Sequence, residues 1–250
     1  MTQYSAKASL NGSRLLRVLG ELAISDAEVS HQHFAQRLGQ LIDLSDSVNI
    51  SRVHGQGSAS LFTASTTSEE AITAEFLQVR NAIIASIIKS FEDDTGLRRI
   101  KLPQPGPEPA ADAASGYEPY GRFYAAHQRE MGGRIQRLRE QVRETVRGGS
   151  AELAQLVVLD EALGDTLAPH SRKFFAAIPG LLARRYAHLL NEYTVACDNP
   201  QGNSGSWLEL LELFCQDMQS VLLAEVEARL LPTQGLIEAL HSEIENTHHE

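Results

Sequence analysis

One segment constrains the fold of this chain more than any other. From Tyr120 to Arg147 the residues Tyr120, Phe123, Tyr124, His127, Met131, Ile135, Leu138, Val142 and Val146 recur at mostly three- and four-residue steps. That period lines one face of an α-helix and fits no strand. At 1.5 Å rise per residue it predicts a single helix about 40 Å long. Such a helix must lay its apolar stripe against other helices, so this segment alone directs the chain toward an all-α bundle.

The same helix is loaded with arginine. It carries Arg122, Arg129, Arg134, Arg137, Arg139, Arg143 and Arg147 against Glu130, Glu140 and Glu144. From Ser206 to the end the chain has nine acids and one base, Arg229. This asymmetry points to helices that recognise each other, or a partner, by charge. Arg129, Arg134, Arg137, Arg139, Arg143 and Arg147 are the candidate partner-binding residues. Arg143 and Glu225, which falls near the apolar stripe of the acidic helix, are the candidate internal ion pair.

The rest of the chain reads as helices around one interruption. In the N-terminal third, Ser9 or Asn11 caps a helix carrying Leu15, Leu16, Val18, Leu19 and Leu22. Ser30 caps a second with Phe34, Leu38, Leu41 and Ile42, and a short element follows over 44–53. Thr67-Ser68-Glu69-Glu70 has the capping-box pattern. It precedes a helix with Ile72, Phe76, Val79, Ile83, Ile84, Ile87, Ile88 and Phe91. Pro103, Pro105, Pro107 and Pro109 then disfavour helix at their own and the preceding positions. The expected organisation is an N-terminal helical segment over 1–94, a Pro/Gly/Ala-rich linker over 95–117, and a C-terminal antiparallel helix bundle over 118–250.

Within that bundle Gly148-Gly149 ends the arginine helix and Ser150 caps the next, a spacing that implies a helical hairpin. Pro169 and Pro179 each sit where a new helix can begin. Ser206 caps a long helix, Pro232 breaks it, and Leu236, Ile237, Leu240 and Ile244 belong to a final one. Gly132-Gly133 inside the arginine helix reads as a close helix crossing or a kink.

Composition narrows the function classes. A formal net charge of −10 opposes general adhesion to nucleic acid or anionic lipid. No uncharged apolar run reaches the ~18 residues of a membrane span, and the strongest, Ala82 to Ile88, is only one to two helical turns long inside an amphipathic pattern. The N-terminus lacks the pattern of a secretory signal. Cys197 and Cys215 have neither CxxC nor zinc spacing and read as reduced, half-buried thiols in a cytoplasmic protein. His241, Glu245 and His248 share a helix face, and His31 and His33 flank one residue, but neither set makes a complete metal site. His127 reads as a hydrogen-bonded core histidine. No nucleophile elbow, phosphate loop or dinucleotide glycine pattern is present. The expectation is a protein without cofactor or metal and without enzymatic activity.

The chain resembles an uncharacterised proteobacterial family of all-helical proteins of about this length. The resemblance rests on Phe34-Ala-Gln-Arg37-Leu38 with Asp46; on Pro119-Tyr120, Tyr124, Gln128 and Met131 running into Leu138-Arg139 and Val142-Arg143; and on Leu159-Asp160. It continues in Pro179-x-Leu181-Leu182 with Arg185-Tyr186. Its most specific stretch is Leu222-Leu223-Ala224-Glu225 through Arg229-Leu230 to Pro232, Gly235-Leu236 and Glu238-Ala239-Leu240. Leu41 or Leu44 stands where the family pattern has tryptophan. The resemblance defines no catalytic residue and implies a cytosolic accessory of an envelope complex.

The resulting expectation is a non-enzymatic cytoplasmic adaptor or regulator that binds a protein partner, either itself or an envelope component. The alternative is a nucleic-acid-associated protein that uses the arginine helix as its footprint. Insertion into a membrane is not expected.

Overall fold

The computed structural model describes residues 14–22, 68–92, 99–106, 108–198 and 206–247. The expected helix around Phe34 and the element at 44–53 lie outside them. The described residues form five helices and no strand: α1 (Arg14–Leu22), α2 (Glu69–Ser90), α3 (Ala113–Arg147), α4 (Ala151–Asp198) and α5 (Trp207–Thr247). The chain is all-α.

Local chemistry accounts for where these helices start and stop. Ser68 caps α2, its hydroxyl accepting from the Ala71 N–H at 3.2 Å. The cap is therefore one residue later than the expected Thr67. Glu69 and Glu70 in the first turn and Lys89 in the last suit the helix dipole. Asp112 caps α3 by accepting from the Ser115 N–H at 2.9 Å, a bond that holds its carboxyl below its ordinary range. The long helix thus begins at Ala113, inside the stretch read as linker. Gly148 ends α3, and the Ser150 hydroxyl accepts from the Leu153 N–H to start α4. At α5 a full capping box forms: the Leu208 N–H donates to Ser206 Oγ and the Ser206 N–H to the Glu209 carboxylate.

Three expected helix breaks do not occur. α4 continues through Pro169 and Pro179, and α5 through Pro232. An interior proline removes one hydrogen bond and strands the carbonyl four residues back. At Pro179 that carbonyl belongs to Phe175, and it accepts from the Gln128 side-chain amide of α3 at 3.0 Å. The Pro179 carbonyl accepts from Tyr117 Oη at 2.7 Å. Contacts from α3 thus stand in for the bond that proline forfeits.

α5 is the axis of the bundle and contacts all four other helices. Between Val221 and Leu230 it is enclosed on nearly every side, with Val221, Leu222, Ala224, Glu225 and Val226 fully buried. Each large apolar side chain buried here stabilises by roughly 1.5–3 kcal/mol. α1 lays Leu15, Leu19 and Leu22 on this axis, and α2 adds Ile72, Phe76, Ile83 and Ile87 to the same core. Helices on both sides of the proline-rich stretch therefore share one hydrophobic centre.

An aromatic cluster closes one end of the bundle, where Tyr186 of α4 packs on Tyr120, Trp207 and Phe214 at centroid distances of 6.0, 5.7 and 5.3 Å. Gly116 lets α3 approach that ring: a Cβ there would lie 3.0 Å from Tyr186 Cε1. Gly132 and Gly133 mark no close crossing, since a Cβ at Gly132 meets nothing within 4 Å and one at Gly133 meets only Arg137 Nη1 at 3.9 Å. Gly116→Ala is expected to destabilise by about 1–3 kcal/mol through overpacking. Gly132→Ala is expected to stabilise by about 0.5–1 kcal/mol through helix propensity. Thermal melts followed by circular dichroism separate the two, at roughly 2–4 °C per kcal/mol.

Candidate functional site

The arginines of α3 fall on separate faces once the helix turns. Arg139, Arg143 and Arg147 are four residues apart and form a line facing α4. Arg139 and Arg143 both reach Asp160, at 2.6 and 2.7 Å, and Arg147 reaches Glu161 at 2.7 Å. Gly164 leaves room for the two guanidinium groups, since a Cβ there would sit 3.3 Å from Arg143 Nη2 and 3.5 Å from Arg139 Nη2. Three of the six candidate partner-binding arginines are thus held in the α3–α4 hairpin. Arg134 pairs with Glu130 on its own helix at 2.8 Å. Arg129 and Arg137 are exposed and make no ion pair with another described residue.

Arg143 and Glu225 do not meet. Arg143 faces α4, while Glu225 is fully buried among α3, α4 and α5. Charge sign alone predicts attraction but not which helix faces lie together. Glu225 Oε1 accepts from Arg229, one turn along α5, at 2.6 Å from Nη2 and 2.8 Å from Nε. Its Oε2 accepts from Tyr124 Oη at 2.6 Å, and Gln128 Nε2 lies 3.0 and 3.1 Å from the two oxygens. Arg229 in turn stacks over the Phe175 ring, 3.8 Å from its centroid. Burial, then the adjacent carboxylate, pushes the Tyr124 phenol well above its ordinary range. The sequence did hold a signal for this centre: Tyr124/Gln128 and Glu225/Arg229 are each spaced i, i+4, which stacks the members of each pair on one helix face.

A second buried polar contact joins α2 to α3. Ser90 Oγ donates to the Ile87 carbonyl at 2.7 Å, which leaves it to accept from His127 Nε2 at 2.9 Å. His127 therefore carries a hydrogen on Nε2. Burial pushes its pKa down to about 4, and Glu130 opposes the shift. α4 and α5 are joined by Arg185 and Asp217 at 2.8 Å, and α1 and α5 by Arg14 and Glu227 at 2.9 Å.

The remaining candidates resolve simply. His241 Nε2 lies 3.0 Å from Thr73 Oγ1 and 3.1 Å from Glu69 Oε1, linking α5 to α2. The other possible ligands, the Glu245 side chain with His31, His33 and His248, lie outside the described parts. Among the described residues no three His, Cys, Asp or Glu side chains are grouped as metal ligands. Cys215 is half-buried, its thiol pushed up to about 12 by burial and then by Glu212, whereas Cys197 is exposed.

Two open grooves flank α2. One, of ≈ 740 Å³, runs between α2 and α3, with Val79, Ala82 and Leu138 on its walls and Glu75, Arg134, Arg137, Glu140 and Glu144 among its polar residues. The other, of ≈ 360 Å³, runs between α2 and α5 past Phe76, Leu77 and Ile237. A cavity beside His127 has a volume of ≈ 10 Å³, about that of one water probe.

These features define a class: an all-helical protein wound about one central helix, with a buried carboxylate at its middle and open grooves on its flank. The chain belongs to the family described as a protein of unknown function (DUF3348), whose family model matches residues 1–242. Neither a curated protein nor a solved structure matches it.

Replacing Glu225 by alanine is expected to cost roughly 3–5 kcal/mol, because it strands Arg229 and the Tyr124 hydroxyl inside the core. Glu225→Gln keeps an acceptor and is expected to cost about 1–3 kcal/mol. Urea unfolding of both variants checks the order. A second outcome concerns pH. The His127 pKa is depressed in the fold from 6.5 to about 4, so the unfolded chain binds the extra proton first. The stability associated with neutral His127 is present above pH 6.5 and is lost as the pH falls toward 4. His127→Gln, which retains a donor for Ser90, is expected to flatten that acid limb in unfolding curves taken at several pH values.

Proposed function

We propose that this protein is a non-enzymatic cytoplasmic adaptor that holds a helical segment of a partner protein in the groove between α2 and α3. The observation that carries this reading is the groove itself: about 740 Å³, open along two helices, with apolar wall residues and an exposed Arg137 that makes no ion pair with another described residue. A partner helix with an apolar stripe and a carboxylate aimed at Arg137 matches that chemistry. The family resemblance implies an envelope complex as the source of the partner.

The ion pairs of α3 weigh against the nucleic-acid alternative. A phosphate-binding rail needs uncommitted cations in a line. Arg139, Arg143 and Arg147 form the line, and each is bound to Asp160 or Glu161.

A photo-crosslinking amino acid in place of Ala82, in the full chain within its native host and after nuclease treatment, tests the reading. The expected result is one recurrent protein cross-linked from position 82, absent when the probe replaces the exposed Arg184 of α4, and lost with Arg137→Glu. No partner beyond the chain itself, or adducts that vanish with nuclease, would overturn it.

A further inference from the structure

We propose that the chain forms an antiparallel homodimer through the outer face of α2. By length and composition α2 is apolar enough to cross a membrane, yet only 22 % of its most apolar 18-residue window is buried. A helix that is apolar around most of its circumference ordinarily has neighbours on every side. Among the described residues α2 has them on one side, where Ile72, Phe76, Ile83 and Ile87 face α3 and α5.

A second seam runs along the flank away from that core, with Ile84 half-buried against the core at its edge. Ala74, Leu77, Asn81, Ile84 and Ile88 follow one another at steps of three, four, three and four, the spacing of a two-helix coiled coil. Leu77 is 47 % and Ile88 41 % exposed, and Ala74, Asn81 and Ala85 are exposed between them. The small residues allow a second helix to approach closely. Asn81 is the single polar residue on the seam, the kind of position that fixes register at some cost in stability.

Charge selects the occupant and its direction. The first half of α2 holds Glu69, Glu70 and Glu75; the second holds Arg80 and Lys89. A parallel copy would set like charges side by side. An antiparallel copy, related by a two-fold axis midway between Leu77 and Asn81, sets Leu77 against Asn81, Ala74 against Ile84 and Ile88 against Glu70 of the second copy, whose carboxylate then lies one residue from Lys89 at the end of the seam. Glu70 and Lys89 are both exposed and make no ion pair with another described residue. The face is thus complementary to itself, as a two-fold interface requires. A helix of α2's length supplies a seam of about 33 Å. This dimer uses the outer face of α2 and does not depend on what fills the α2–α3 groove.

Sedimentation velocity and light scattering on the full chain test it. The expected species has twice the 27.4 kDa chain mass. Leu77→Glu and Ile88→Glu are each expected to weaken it about tenfold or more while leaving the thermal melt of the helices in place, since both side chains are exposed. Glu70→Lys is expected to weaken it, and adding Lys89→Glu to restore it. A monomer at every soluble concentration overturns the proposal, as does a dimer indifferent to both Leu77→Glu and Ile88→Glu. A monomer that sediments with phosphatidylglycerol vesicles and loses that property with Leu77→Glu assigns the face to a lipid surface instead, and equally overturns it.

Discussion

The Glu225 carboxylate lies at 0 % exposure in the middle of the central helix, and the arrangement of three helices follows from keeping it there. Removing an ion from water costs several kcal/mol, which good geometry must offset. Arg229 supplies the counter-charge, Tyr124 a hydroxyl and Gln128 an amide. Gln128 also reaches the Phe175 carbonyl that Pro179 leaves without its helical partner, and the Phe175 ring lies under Arg229. These side chains thereby link α3, α4 and α5 around the buried carboxylate, and Gln128 satisfies the carbonyl that Pro179 frees in α4. Tyr124, Gln128, Pro179, Glu225 and Arg229 are also residues on which the family resemblance rests.

The arginine helix shows how a run of charge in a sequence differs from charge on a surface. The spacing that makes Arg139, Arg143 and Arg147 a line also points that line at one neighbour, and the neighbour carries Asp160 and Glu161. What remains outside is Arg129 and Arg137, the latter beside a groove of mixed charge. α2, the other wall of that groove, carries two exposed large apolar side chains, Leu77 and Ile88.

Much of the fold was legible because it is local. The three- and four-residue apolar steps, the Ser150 and Ser206 caps and the stop at Gly148 depend on residues within a turn of each other, and each appears as expected. The misreadings share a cause. Pro169, Pro179 and Pro232 end helices by the local rule, but their helices continue, and at Pro179 the group that permits it comes from Gln128, far away in sequence. Arg143 was matched to Glu225 by sign, although the two lie on different sides of α3. In the candidate site, Arg137 was legible as a basic residue off the apolar stripe, whereas the groove beside it was not, since it exists only between two packed helices.

By itself the sequence determined that this chain is all-α, which residues turn inward, and where α4 and α5 begin. Those choices follow from backbone hydrogen bonding and apolar periodicity within a few residues. Only the tertiary structure decided which arginines are consumed by carboxylates, which proline positions stay helical, and which face of α2 the other described helices leave uncovered. Each of these depends on a partner many residues away, and the energy of a charge or a stranded carbonyl is set by what is packed against it.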